Sequence, residues 1–210
     1  MGYKTFVSMN IAIIGTGDTG ESYAAAFALT GHHVYMAWTD GEKSGINPAL
    51  QSFDNIHICS IEEAAEVADL IIIATAPRDV REVAYWLGDV RRKVIIDASA
   101  NVHVPYHESI KTACAITAIT GSVHVVKIFN SSGYEAIIKP LFSGNDVGLM
   151  LAGDSKKAKE VMKILCVEMG IQNCYDLGNS DTIPLFDELT KSWRSLAVAQ
   201  NIIPDVPVTQ

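Results

Sequence analysis

The chain has 210 residues, enough for one well-buried domain with at most a small appendage. Its net charge of −8, from 24 acids against 16 Lys and Arg, repels phosphate backbones and anionic lipid, and so argues against a nucleic-acid or membrane partner. Apolar residues make up 49%, yet the run "LIIIATA" is far too short to cross a bilayer.

Residues 1–9, "MGYKTFVSM", form an N-terminal extension without the pattern of a secretory signal. Phe6 stands where a myristoylation motif needs Ser or Thr. A cytoplasmic location is therefore expected. "NIAIIG" then predicts a fully apolar strand ending at Gly15, and "GESYAAAFALTG" a helix of small residues whose end at Gly31 suits a left-handed cap. "HVYMAW" predicts the second strand and "IHICS" a short third one. Ser60 with Glu63 forms a capping box that opens a helix. "DLIIIATA" is too apolar to have a wet face and predicts a central parallel strand. A helix follows Pro77 and runs to about Gly88. The basic cluster "VRRKV" reads as a solvated turn before the strand "KVIIDAS", and "VHVVKIFN" follows as the next strand.

The last third keeps the rhythm. "DVGLMLAG" predicts a strand, and Asp154 or Ser155 caps a helix on which Val161, Leu165 and Met169 share one face. "IQNCYDLG" predicts a last strand. Ser180 or Asp181, with Pro184 just inside, then starts a closing helix. This alternation predicts one α/β domain over residues 1–210, with a doubly wound, mainly parallel sheet and a C-terminal helix and tail from 180 to 210.

Gly15, Gly17 and Gly20 match G-x-G-x-x-G between a predicted strand and a predicted helix, and that context gives the motif its weight. Gly15 permits the tight turn, Gly17 a close approach to a pyrophosphate, and Gly20 packing of helix on strand. The helix N-terminus offers N–H groups and partial positive charge to the phosphates. Asp40 ends the second strand, where a carboxylate hydrogen-bonds ribose hydroxyls. The fold expected is therefore a Rossmann NAD(P)-binding fold.

The opening "IAIIGTGDTGESYAAAFALTGHHV" resembles that of the small deazaflavin-dependent NADP reductases of archaea and bacteria. It also resembles the oxidoreductase domain of the six-transmembrane-segment metalloreductases. The resemblance continues through "ADLIIIATAP", "RKVIIDASAN", "VHVVKIFNSSGYE" and "LMLAGDSKKAKEVMKILCVEMG" to "DLGNSDTIPLFDELTKSW". It implies an NAD(P)-dependent oxidoreductase that brings a flavin or deazaflavin ring against the nicotinamide for direct hydride transfer, without a catalytic side chain from the protein. By position it implies that Thr16, Gly17, Asp18 and Thr19 line the pyrophosphate. Ala74, Thr75, Ala76 and Pro77 would pass beside the ribose and nicotinamide. Ala98 and Ser99 after the fifth strand, and Phe129 and Asn130 after the sixth, would wall the hydride-transfer pocket; for Phe129 core packing is an equal reading.

The chain departs from the family after the second strand. Members that use NADP carry Ser-Arg there, and the arginine grips the 2′-phosphate; here stand Trp38, Thr39 and Asp40. A carboxylate beside a 2′-phosphate is repulsive, which favours NAD, whereas the family habit and Lys43 favour NADP. Trp38 either stacks on the adenine or fills the core.

Other residues suggest less. His103, His107 and Glu108 have a metal-like spacing, but Pro105 disfavours the helix such a site needs. Lys127 is either a functional ammonium or a surface lysine at a strand edge. Asp97 reads as a cap for the loop after its strand. Cys59, Cys114, Cys166 and Cys174 lack metal spacing and read as free thiols, three of them buried in apolar or helical segments. Two alternatives to a reductase remain. One is a dinucleotide-binding redox sensor or partner protein without catalysis. The other is a dehydrogenase of the 6-phosphogluconate or 3-hydroxyacid type, whose large helical domain is missing here. A homodimer built on the C-terminal helix is expected.

Overall fold

The computed structural model describes residues 7–39, 46–99, 111–130, 148–185, 187, 188 and 192. Among the described residues eight strands form one sheet in the order β3-β2-β1-β4-β5-β6-β7-β8. They are β1 (Asn10–Ile14), β2 (His33–Ala37), β3 (Ile56–Ile58), β4 (Leu70–Ile73), β5 (Val94–Asp97), β6 (Val125–Asn130), β7 (Gly148–Ala152) and β8 (Asn173–Asp176). Only β7 runs against its neighbour β6; the other pairings are parallel. The helices are α1 (Asp18–Leu29), α2 (Ile61–Val67), α3 (Val80–Trp86), α4 (Thr112–Thr120) and α5 (Lys156–Glu168).

The period-two geometry of a strand sorts the apolar runs between two helical layers. Ile11, Ile13, Leu70, Ile72 and Ile96 face Tyr23 and Phe27 of α1 and Met162 and Leu165 of α5. Ala12, Ile14, Ile71, Ile73 and Ile95 face Ala64 of α2, Val83 of α3 and Ile116 of α4. Both faces of β1 and β4 are covered, which is why "IAII" and "LIII" show no alternation.

The helix ends follow local chemistry. The capping box forms as expected: Ser60 Oγ accepts from Glu63 N–H at 3.2 Å and Glu63 Oε2 accepts from Ser60 N–H at 2.9 Å. Those bonds hold the Glu63 carboxyl below the usual carboxylate range. Gly31, at φ +90°, takes the left-handed position after α1, as expected. Of the two candidate caps for α5, Ser155 is the one, accepting from Ala158 N–H at 3.1 Å. Asp154 instead accepts from Ser180 N–H at 3.1 Å and ties down the start of the closing segment. That segment opens with a 3-10 turn, Ser180–Thr182, and buries Ile183 against the α2–α4 side of the sheet.

The thiols differ in part from the expectation of burial. Cys166 is buried, Cys59 and Cys174 are half-buried, and Cys114 is exposed. In α4, Ala113 and Ala115 turn inward and leave Cys114 on the wet side, since an amphipathic helix exposes positions even within an apolar run.

Candidate functional site

The strand registers bring one row of residues to a common level. Ala37 of β2 pairs with Ile14 of β1, Ile14 with Ile73 of β4, Ile73 with Asp97 of β5, and Asp97 with Lys127 of β6. Just beyond that row the chains leave the sheet side by side. Gly15 N–H donates to Ala37 O at 2.8 Å, Ala74 N–H to Ile14 O at 2.8 Å, and Ala98 N–H to Ile73 O at 2.9 Å. After β1 the chain turns to β2 on one side, and after β3 it crosses to β4 on the other. The crevice between Gly15 and Ala74 is therefore the switch point at which open α/β sheets take their ligands.

Each glycine of the loop answers a different contact. Gly15 has φ +125°, and a Cβ there would stand 2.6 Å from Ala74 O. A Cβ on Gly20 would stand 2.1 Å from Gly15 O, so α1 packs on the loop backbone. Gly17 has the extended angles φ −74° and ψ 172°, and its absent Cβ would meet nothing within 4 Å. The open side of the loop is thus at Gly17, which also caps α1 and, as a glycine, brings no side chain of its own to the first-turn N–H groups. That leaves a helix N-terminus facing open space, the arrangement that receives a phosphate. Asp18 and Glu21 put negative charge in the same turn; Glu21 Oε1 is engaged, accepting from Asn47 N–H at 2.7 Å.

Across the crevice, Thr75 is buried and its Oγ1 has no hydrogen-bond partner among the described residues. A buried hydroxyl left unpaired costs free energy, and one at the lip of a crevice is suited to a bond with a bound molecule. Ala74, Ala76 and Pro77 are half-buried around it. Thr16 is buried at the turn, whereas Asp18 is exposed and Thr19 half-buried at the start of α1. Trp38 is half-buried and Thr39 buried just after β2. Asp40 and Lys43 lie outside the described residues, as do His103, His107 and Glu108. Among the described residues no cluster of His, Cys, Asp and Glu can hold a metal.

Phe129 and Asn130 are the last two residues of β6, within the strand that "VHVVKIFN" predicts, and pair with Met150 and Leu149 of β7. The antiparallel partner β7 thus continues β6 beyond the common row. One reading of Lys127 is corrected: it is not a surface lysine at a strand edge but is 2% exposed, in a strand flanked by others on both sides. Its Nζ donates to Asp97 Oδ2 at 3.1 Å, Ser99 O at 2.7 Å and Thr112 Oγ1 at 2.9 Å. Asp97 caps the following loop as expected, accepting at Oδ1 from Ser99 N–H at 3.0 Å and from the Ser99 hydroxyl. It also accepts at Oδ2 from the Thr112 hydroxyl at 2.5 Å. Sequence offers a partial signal for this cluster, an acid and a base each interrupting an apolar strand. Their register is not readable from it.

A glycine loop at the switch point of a mainly parallel sheet, with an unpaired hydroxyl opposite, defines a Rossmann-type dinucleotide-binding protein. Residues 10–101 match the family described as NADP oxidoreductase, coenzyme F420-dependent. The chain is 24% identical over 214 residues to the F420-dependent NADP reductase of Methanothermobacter thermautotrophicus, covering 92% of this chain and 91% of that protein. A crystal structure from Arthrobacter sp. FB24, assigned as an F420-dependent NADP reductase, superposes with a TM-score of 0.78 at 22% identity, covering 92% of this chain and 96% of that one. An imine reductase from Pseudomonas sp. has the same fold at a TM-score of 0.71 and 14% identity; this chain covers 64% of its length. No helix among the described residues is long and apolar enough to cross a membrane.

Proposed function

We propose that the protein is an NAD(P)-dependent oxidoreductase that passes hydride between nicotinamide and a deazaflavin or flavin ring. The observation that carries this reading is the crevice itself, where the open face of Gly17 and the unpaired Thr75 hydroxyl stand on either side of the switch point. The match of residues 10–101 to that family supports the choice of a deazaflavin as acceptor.

In this reading Gly15, Thr16, Gly17, Asp18, Thr19 and Gly20 surround the pyrophosphate, with the first turn of α1 supplying N–H donors. Trp38, Thr39, Asp40 and Lys43 meet the adenosine, where Asp40 favours the ribose hydroxyls of NAD over a 2′-phosphate. Thr75 donates to or accepts from the nicotinamide half, and Ala74, Ala76 and Pro77 pack beside it. Ala98, Ser99, Phe129 and Asn130 wall the space for the second ring. When bound, the reduced nicotinamide supplies the hydride, and the acceptor ring takes a proton from water to balance the two electrons received. The protein's part is to hold two planar rings at contact distance and exclude water between them. The chain acts as one cytoplasmic domain, and its closing segment from residue 180 onwards serves a second copy.

The test is anaerobic mixing of the protein and reduced dinucleotide with oxidised coenzyme F420, FMN or FAD, followed by nicotinamide absorbance. Turnover with one of these acceptors is expected. Tight dinucleotide binding without turnover on any of them would instead make the protein a redox sensor.

A further inference from the structure

The Lys127 cluster is built at considerable cost. An ammonium and a carboxylate are removed from water in the sheet interior, where apolar side chains of similar volume are often as stable or more so. Asp97 is 0% exposed and Lys127 2%, with Thr112 at 1% and Ser99 at 2%. The hydrogen bonds close on themselves. Three N–H groups of Lys127 meet three acceptors, and each oxygen of Asp97 takes two donors. Lys127 therefore has no proton left for a ligand, which rules it out as the group that touches the reacting rings.

What the cluster grips is informative. Ser99 is bonded at its N–H, its hydroxyl and its carbonyl, so the peptide planes on both sides of it are fixed. Ala98, the residue before it, is pinned to β4 through Ile73 O, next to Ala74 and Thr75. Thr112 fixes the first residue of α4 to the same carboxylate. We infer that Lys127 is a positioning residue: through Asp97 it holds Ala98 and Ser99 as a rigid wall against the nicotinamide half of the dinucleotide. The inference rests on the dinucleotide reading above. A wall that is held by buried charges moves little when the ring docks, so less ordering entropy is lost on binding.

The consequence is selective. In the dinucleotide reading the adenosine and pyrophosphate contacts lie at Gly15–Gly20 and after β2, whereas the cluster's bonds run among Asp97, Ser99, Thr112 and Lys127. Losing the cluster should weaken ligands that carry nicotinamide and spare those that lack it. A cluster that only supports the fold would affect both equally or neither.

The experiment is calorimetric titration of the wild type, Lys127→Met and Thr112→Val with the reduced dinucleotide that the wild type prefers and with the corresponding ADP-ribose. Lys127→Met should lower dinucleotide affinity about tenfold and leave ADP-ribose within about twofold, with KM raised more than kcat is lowered. Thr112→Val keeps the charge pair and the volume, and should show the same selectivity at a few-fold, which covers the case in which Lys127→Met does not fold. Equal losses for both ligands, or none for either, in the folded variant would overturn the inference. A wild type that binds neither ligand would refute the dinucleotide reading itself, and the inference would fall with it.

Discussion

Gly17→Ala separates ligand binding from folding. The backbone at Gly17 has φ −74°, which alanine adopts without strain, and the added Cβ meets no atom within 4 Å. The remaining cost is the weaker preference of alanine for a helix N-cap, roughly 0.5–1 kcal/mol. A pyrophosphate seated on the first turn of α1 would meet that methyl. Forcing a methyl into a filled contact costs about 1–3 kcal/mol, which converts to roughly a fivefold to 150-fold loss of affinity. Gly20→Ala is the contrasting control, because its Cβ would stand 2.1 Å from the carbonyl oxygen of Gly15 and α1 must move off the loop. That variant should lose about 3 kcal/mol or more of stability before any ligand is added. The assay pairs a urea midpoint with calorimetric titration of the dinucleotide. A folded Gly17→Ala protein that binds as tightly as the wild type would refute the placement of the pyrophosphate.

Other consequences are simpler to check. Asp40→Ser should shift the ratio of NADP to NAD affinity upward by about tenfold, as removal of a repulsive carboxylate beside a 2′-phosphate requires; an unchanged ratio would clear Asp40 of any part in specificity. Maleimide should label Cys114 first, since it is exposed, whereas Cys166, whose thiol is pushed up by its hydrogen bond to Cys174 and by burial, should label only on unfolding. Ser60→Ala should cost about 1 kcal/mol by urea unfolding, because it removes one half of the capping box. Asp154 is held below its ordinary value of 3.8 by the Ser180 bonds, so its contribution is full above that value and fades as the pH falls below it. Asp154→Asn should accordingly flatten the acid side of the Tm profile below about pH 4, and an unchanged profile would show that the bond to Ser180 contributes nothing.

Much of the fold could be read from local patterns with a single physical cause. The runs "IAII" and "LIII" lack alternation because both faces of β1 and β4 are covered, and the Ser60–Glu63 box marks a helix start through two reciprocal bonds. The glycine loop was legible because each glycine answers a steric demand within a few residues or across one strand pair. Features set by register between distant segments were not. Lys127 stands 30 residues from Asp97, and only the β5–β6 pairing makes them neighbours. That β7 pairs antiparallel with β6 is likewise set by register and not by the local pattern of either strand. Cys114 shows the limit within one helix, where composition alone does not say which side is wet.

Direct hydride transfer between two rings held by this crevice is tested by giving the protein reduced dinucleotide carrying deuterium on one face of nicotinamide C4, together with oxidised coenzyme F420, in ordinary water. Deuterium from one face alone should appear on the reduced deazaflavin carbon, as the fixed stacking of two rings demands. Reduced deazaflavin that carries only solvent hydrogen, or no reduction at all, would contradict it.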